Sequence, residues 1–113
     1  MREEIVEFTV AGSTHAVSSA IEQYATRHGS LQAIVVPWES DNVTLSMAVT
    51  SATVDGWAVQ HTDLGTIRLS SLGNDLTRVT FAAREPNHAD KKRLLALFEG
   101  FARQVQSSLQ AAP

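Results

Sequence analysis

Residues 76–109 read LTRVTFAAREPNHADKKRLLALFEGFARQVQSSL, and the spacing of the apolar residues changes partway along. Up to Ala83 the chain alternates. Thr77, Val79, Phe81 and Ala83 point one way and Leu76, Arg78, Thr80 and Ala82 the other, the two-residue period of a half-buried strand. Pro86 ends the alternation. Asn87 then offers an N-cap, with Asp90 three residues on in a capping-box-like arrangement. Beyond it Leu94, Phe98, Phe101, Ala102, Val105 and Leu109 recur at helical spacing, with Leu95 and Leu97 widening the stripe. The stretch predicts a strand followed by a long helix over residues 87–109. That helix carries two of the chain's four phenylalanines and is the main plug of the core.

Working back toward the N-terminus, strand signals fill residues 31–84. Leu31 to Trp38 is a nearly continuous apolar run. Val43, Leu45, Met47 and Val49 alternate with Thr44, Ser46, Ala48 and Thr50. A short strand holds Trp57 and Val59 and ends at His61-Thr62-Asp63, and another holds Ile67 and Leu69. Glu39–Asn42, Asp55-Gly56 and Gly73-Asn74 read as turns. Before this block, Val6, Phe8 and Val10 face one side of a first strand, opposite Ile5, Glu7 and Thr9. Gly12 stops that strand, Ser13 or Thr14 caps a helix, and Gly29 closes it. Val17, Ala20, Ile21, Tyr24 and His28 make its apolar face.

The expected order is β-α-β-β-β-β-β-α in one α+β domain spanning residues 1–113. A ferredoxin-like fold lacks its helix after the third strand, a cystatin-like fold has no strand before its helix, and a plain barrel leaves the last helix unexplained. What remains is a helix-grip: a curled antiparallel sheet of five to six strands closed by a long C-terminal helix.

Composition narrows the function classes. A hydrophobic fraction of 43% and a charged fraction of 19% describe a chain that folds on its own. No apolar run reaches the ~18 residues of a membrane span, and Met-Arg-Glu-Glu at the start is no secretory signal. With no Cys, thiol catalysis and thiolate metal sites are excluded, and the default location is cytoplasmic. A net charge of −3 and the scatter of Lys and Arg outside Lys91-Lys92-Arg93 argue against nucleic acid as a partner.

The turn from strand to helix at Phe8-Thr9-Val10-Ala11-Gly12-Ser13-Thr14, together with Leu76-Thr77-Arg78-Val79-Thr80-Phe81 and its following helix, resembles the START-like or SRPBCC superfamily. This superfamily includes polyketide cyclase-like and pollen-allergen-like proteins. The resemblance covers nearly the whole chain and implies a cavity between sheet and long helix for a small apolar or amphipathic molecule. The chain is short for that superfamily. It also passes from His28-Gly29-Ser30 directly into the next strand, where the family usually has a second short helix. A smaller or more open cavity follows, or one completed by a second subunit. Fold membership does not assign function.

The expected lining of such a cavity is Tyr24, Met47, Trp57, Phe81, Phe98 and Phe101, with His61 and Lys91 as polar groups at its opening. His61 follows Trp57 and Val59 at what reads as inward parity. Lys91 lies in line with Phe98 and Leu109 on the wheel, where its stem can cover apolar surface while the ammonium reaches water. His28 sits in the last turn of the first helix, where the helix dipole favours it, and reads as structural. His15, His28, His61 and His88 show no metal-ligand spacing, and no Walker, dinucleotide or nucleophile-elbow motif is present. No catalytic residue, metal or cofactor is assigned. The leading expectation is a carrier or sensor domain. The alternatives are a cyclase- or dehydratase-like enzyme using His61 or Tyr24, and a structural homo-oligomer with a filled interior. A homodimer is expected because a shortened helix-grip leaves apolar surface, Trp38 and Trp57 above all, to be covered.

Overall fold

The computed structural model describes residues 2–29, 31–36, 43–84 and 91–110. Five strands and two helices follow in the order β1 (Arg2–Ala11), α1 (Thr14–His28), β2 (Leu31–Val35), β3 (Thr44–Asp55), β4 (Ala58–Gly73), β5 (Leu76–Arg84) and α2 (Lys91–Gln110). All the pairings are antiparallel, in the sheet order β1-β5-β4-β3-β2. The first and second strands are thus opposite edges, and α1 carries the chain from one edge to the other across the sheet. Trp38, the Glu39–Asn42 turn, Pro86 and the Asn87 cap with Asp90 lie outside the described residues.

Local chemistry explains the element ends. The Ser13 hydroxyl accepts a hydrogen bond from the Ala16 amide at 3.2 Å, capping α1. Gly29 leaves the helix with φ of 78°, its amide bonded to the Thr26 carbonyl. Between β4 and β5 the two-residue loop Asn74-Asp75 has both φ values positive, the pattern of a type I′ hairpin, and Asn and Asp tolerate that conformation better than most residues.

One face of the sheet meets both helices. Val6, Phe8 and Val10 of β1, Leu45, Met47 and Val49 of β3, Ile67 and Leu69 of β4, and Val79 and Phe81 of β5 are buried there. They join Val17, Ile21 and Ala25 of α1 and Leu94, Phe98, Phe101, Ala102 and Val105 of α2 in one core. Phe81 is its centre. Its ring lies 5.9 Å from Phe98, 6.2 Å from Phe101 and 6.2 Å from Phe8, centroid to centroid. Thr77, buried at the sheet's end, donates its hydroxyl to the Gly12 carbonyl at 2.8 Å and ties the β1–α1 turn to β5.

Three expectations about these elements need correction: the strand count, the side taken by Ile5 and the buried face of α1. The separate short strands around Trp57 and Ile67 are one 16-residue strand, β4, so the sheet has five strands and not six. Register shifts by one residue between Val49 and Thr50: Val49 faces Gly65, yet Thr50 faces Asp63, so Leu64 is an inserted bulge residue. A second bulge in β1 sets Ile5 apart from the pairing and lets it pack against the core that Val6, Phe8 and Val10 fill. In α1 the buried face is Val17, Ser18, Ile21 and Ala25. It is rotated from the expected one, so Ala20 and Tyr24 are half-buried and His28 is exposed.

Candidate functional site

The bulge at Leu64 decides where two of the expected site residues go. Ser51 continues the inward row of Leu45, Met47 and Val49, and Ser51 pairs with Thr62. His61, one residue away, pairs with Ala52 and therefore takes the opposite face. Parity counted back from Ile67 and Leu69 is inverted by the extra residue. Trp57 is not within a strand at all, because Asp55 pairs with Ala58 and leaves Gly56-Trp57 as the hairpin loop. Residues 56–61 are all exposed, Trp57 fully. The inward positions expected for Trp57 and His61 are therefore corrected: both stand on a projecting β3–β4 arm. Lys91 is exposed at the first described turn of α2, and the stripe it aligns with is buried from Leu94 onward.

Met47, Phe81, Phe98 and Phe101, expected as cavity lining, are buried in the core, each with at most 1% of its surface exposed. Phe81 packs on Phe98, Phe101 and Phe8, so these rings occupy the space between sheet and α2 where they meet. His61 and Tyr24, the two acid-base candidates, stand on different elements and share none of the described hollows.

Tyr24 does border a hollow. It lies on the surface where the C-terminal turn of α1 meets α2, has a volume of about 380 Å³, and is lined by Tyr24, Arg27, His28 and Gln104. Helical spacing brings the first three together, Arg27 and His28 being three and four residues after Tyr24. The Arg27 guanidinium carbon is 5.7 Å from the Tyr24 ring centre, a cation–π contact. His28 Nε2 is 3.2 Å from Gln104 Oε1, and the His28 ring meets Phe101 edge-on with centroids 5.7 Å apart. The hollow thus sets the rings of Tyr24 and His28, the latter backed by the buried Phe101, beside a guanidinium and an amide. β2 begins at Leu31, two residues after Gly29, so no helix intervenes between α1 and β2.

A second hollow, of about 520 Å³, opens on the sheet face turned away from the helices. Thr66, Arg68 and Ser70 of β4 line it with Arg78 and Thr80 of β5 and Glu7 of β1. Register places Arg68 opposite Thr80 and Ser70 opposite Arg78, so the two arginines are diagonal neighbours. Arg78 Nε bonds Glu7 Oε1 at 3.3 Å, with both side chains about half exposed.

Arg27, Gln104 and this outer row were missed in the sequence reading. Arg27 was visible as the residue three after Tyr24. The outer row was readable by counting outward from Asn74-Asp75, since that hairpin fixes which β4 residue faces which β5 residue.

Among the described residues no group of three His, Asp or Glu side chains is placed to hold a metal ion, and no helix is long and apolar enough to cross a membrane. No protein-family model matches the chain, and neither a curated protein nor a solved structure matches it.

Proposed function

We propose that the chain is a small helix-grip domain of START-like type that binds an amphipathic small molecule without transforming it. The observation that carries this reading is the hollow between α1 and α2, where Tyr24 and the Phe101-backed His28 offer apolar surface beside the Arg27 guanidinium and the Gln104 amide. Its volume of about 380 Å³ leaves room for a small molecule lying along the surface. The apolar tail of a ligand lies along Tyr24 and His28, and an acidic head group pairs with Arg27. The sheet order supports the helix-grip: β1 beside β5, with α1 and α2 on one face, is the arrangement that lets a long terminal helix close over the sheet.

Decanoate is a suitable probe because decanol shares its chain and lacks its charge. Calorimetric titration should give saturable decanoate binding that Arg27→Ala weakens on the order of tenfold, the scale of one charge-assisted hydrogen bond. Decanol should bind more weakly. Equal binding by the wild type and Arg27→Ala, or no binding to either, contradicts the reading.

A second reading, self-association, is favoured by the β3–β4 arm. Trp57 is fully exposed and Val59 is 58% exposed on the same projecting hairpin. A second copy covering that arm removes apolar surface from water. Light scattering at micromolar concentration should then show a dimer of the wild type and a monomer of Trp57→Ser. A monomer for both sinks this reading and leaves the first untouched.

A further inference from the structure

We propose that the outer sheet face carries a second, independent binding site, for the phosphate group of a small organic phosphate. The chain as a whole is acidic, with a net charge of −3. Among the described residues, the lining of the 520 Å³ hollow has the opposite balance: two guanidiniums, Arg68 and Arg78, against one carboxylate, Glu7. Glu7 is committed to Arg78 at 3.3 Å. Arg68 has no carboxylate partner among the described residues.

The sheet fixes the spacing of these groups. Arg68 and Arg78 occupy diagonal positions on paired strands, where side chains are about 7–8 Å apart at the backbone and long ones meet at their tips. The hydroxyls of Thr80 and Ser70 stand opposite the two arginines in register, on the same face. A tetrahedral oxyanion between the guanidiniums takes paired N–H donors from Arg68 and further donors from the hydroxyls and from Arg78. Guanidinium matches that geometry better than an ammonium does. The hollow is far larger than a bare phosphate, so the remainder of an organic phosphate has room along Thr66 and Ala82. Glu7 is built in as a competitor: it holds Arg78 until an anion of higher charge displaces it.

The test is a ¹H–¹⁵N NMR titration of the full chain with phenyl phosphate, inorganic phosphate and phenol in low salt. Both phosphates should shift the amides of Thr66–Ser70 and Arg78–Ala82 saturably, with a Kd on the order of 1 mM for phenyl phosphate, and phenol should not. Arg68→Gln should weaken phenyl phosphate about tenfold with an unchanged melting temperature. Glu7→Gln should tighten it several-fold, because it frees Arg78. Shifts centred on Arg27 or Lys91–Arg93, shifts that survive Arg68→Gln, or a response to phenol equal to that of phenyl phosphate would each overturn the assignment. The map also separates this site from the one between the helices, since Arg27→Ala leaves the sheet-face shifts in place.

Discussion

Two glycines should respond to alanine in opposite directions. A Cβ on Gly65 would fall on the Ala82 carbonyl oxygen and 3.0 Å from Phe98 Cζ, and the residue's φ of +152° suits glycine alone. Gly65→Ala should therefore cost about 2 kcal/mol or more in urea denaturation. Gly100 lies inside α2 with nothing within 4 Å of an added Cβ, so Gly100→Ala should add about 0.5–1 kcal/mol. Phe98, fully buried against Phe81, should cost about 3–5 kcal/mol when truncated to alanine. A loss below about 1 kcal/mol in the same melts would mean that the Phe98 ring is not packed in the core. Phe98 was legible in the sequence because helical spacing alone identifies a stripe. Gly65 was not, because a close backbone approach depends on which strand lies alongside.

At the scale of the element, legibility tracked how local the cause was. Ser13 and Gly29 bound α1 through contacts with residues three to four positions away, and the sequence marked both ends, with Thr14 as an alternative cap. Replacing the Ser13 cap should cost about 1 kcal/mol, measured as the stability difference between Ser13→Ala and wild type, and a difference near zero would show the cap is idle. β4 was misread because its continuity across His61-Thr62-Asp63 is imposed by pairing with β3. Asp63 helps to hold that irregular point: Oδ1 accepts from the Gly65 amide at 3.1 Å and Oδ2 from Arg84 Nη1 at 2.8 Å. The one-residue bulge there inverted the parity of His61 and took it out of the expected site. The α1 face was rotated for a related reason: apolar character marked Tyr24 and His28, while packing selected the smaller Ser18 and Ala25 for the close approach to the sheet.

For the whole molecule, the alternation in β1, β3 and β5 and the long stripe of α2 sufficed to read an α+β chain with one antiparallel sheet and a terminal helix. Strand neighbours were beyond such reading, and they decide what the surface offers. Pairing of β5 with β1 and with β4 builds the outer row of Glu7, Arg78 and Arg68, and the approach of α1 to α2 brings Gln104 to His28. The proposed amphipathic ligand between those helices can be tested directly. Tyr24 is the chain's single tyrosine, so protein labelled with 3-fluorotyrosine has one ¹⁹F resonance, and it reports from that hollow. Titration with decanoate should move the resonance saturably in the wild type and far less in Arg27→Ala. A resonance that stays fixed in the wild type up to saturating decanoate would contradict the claim.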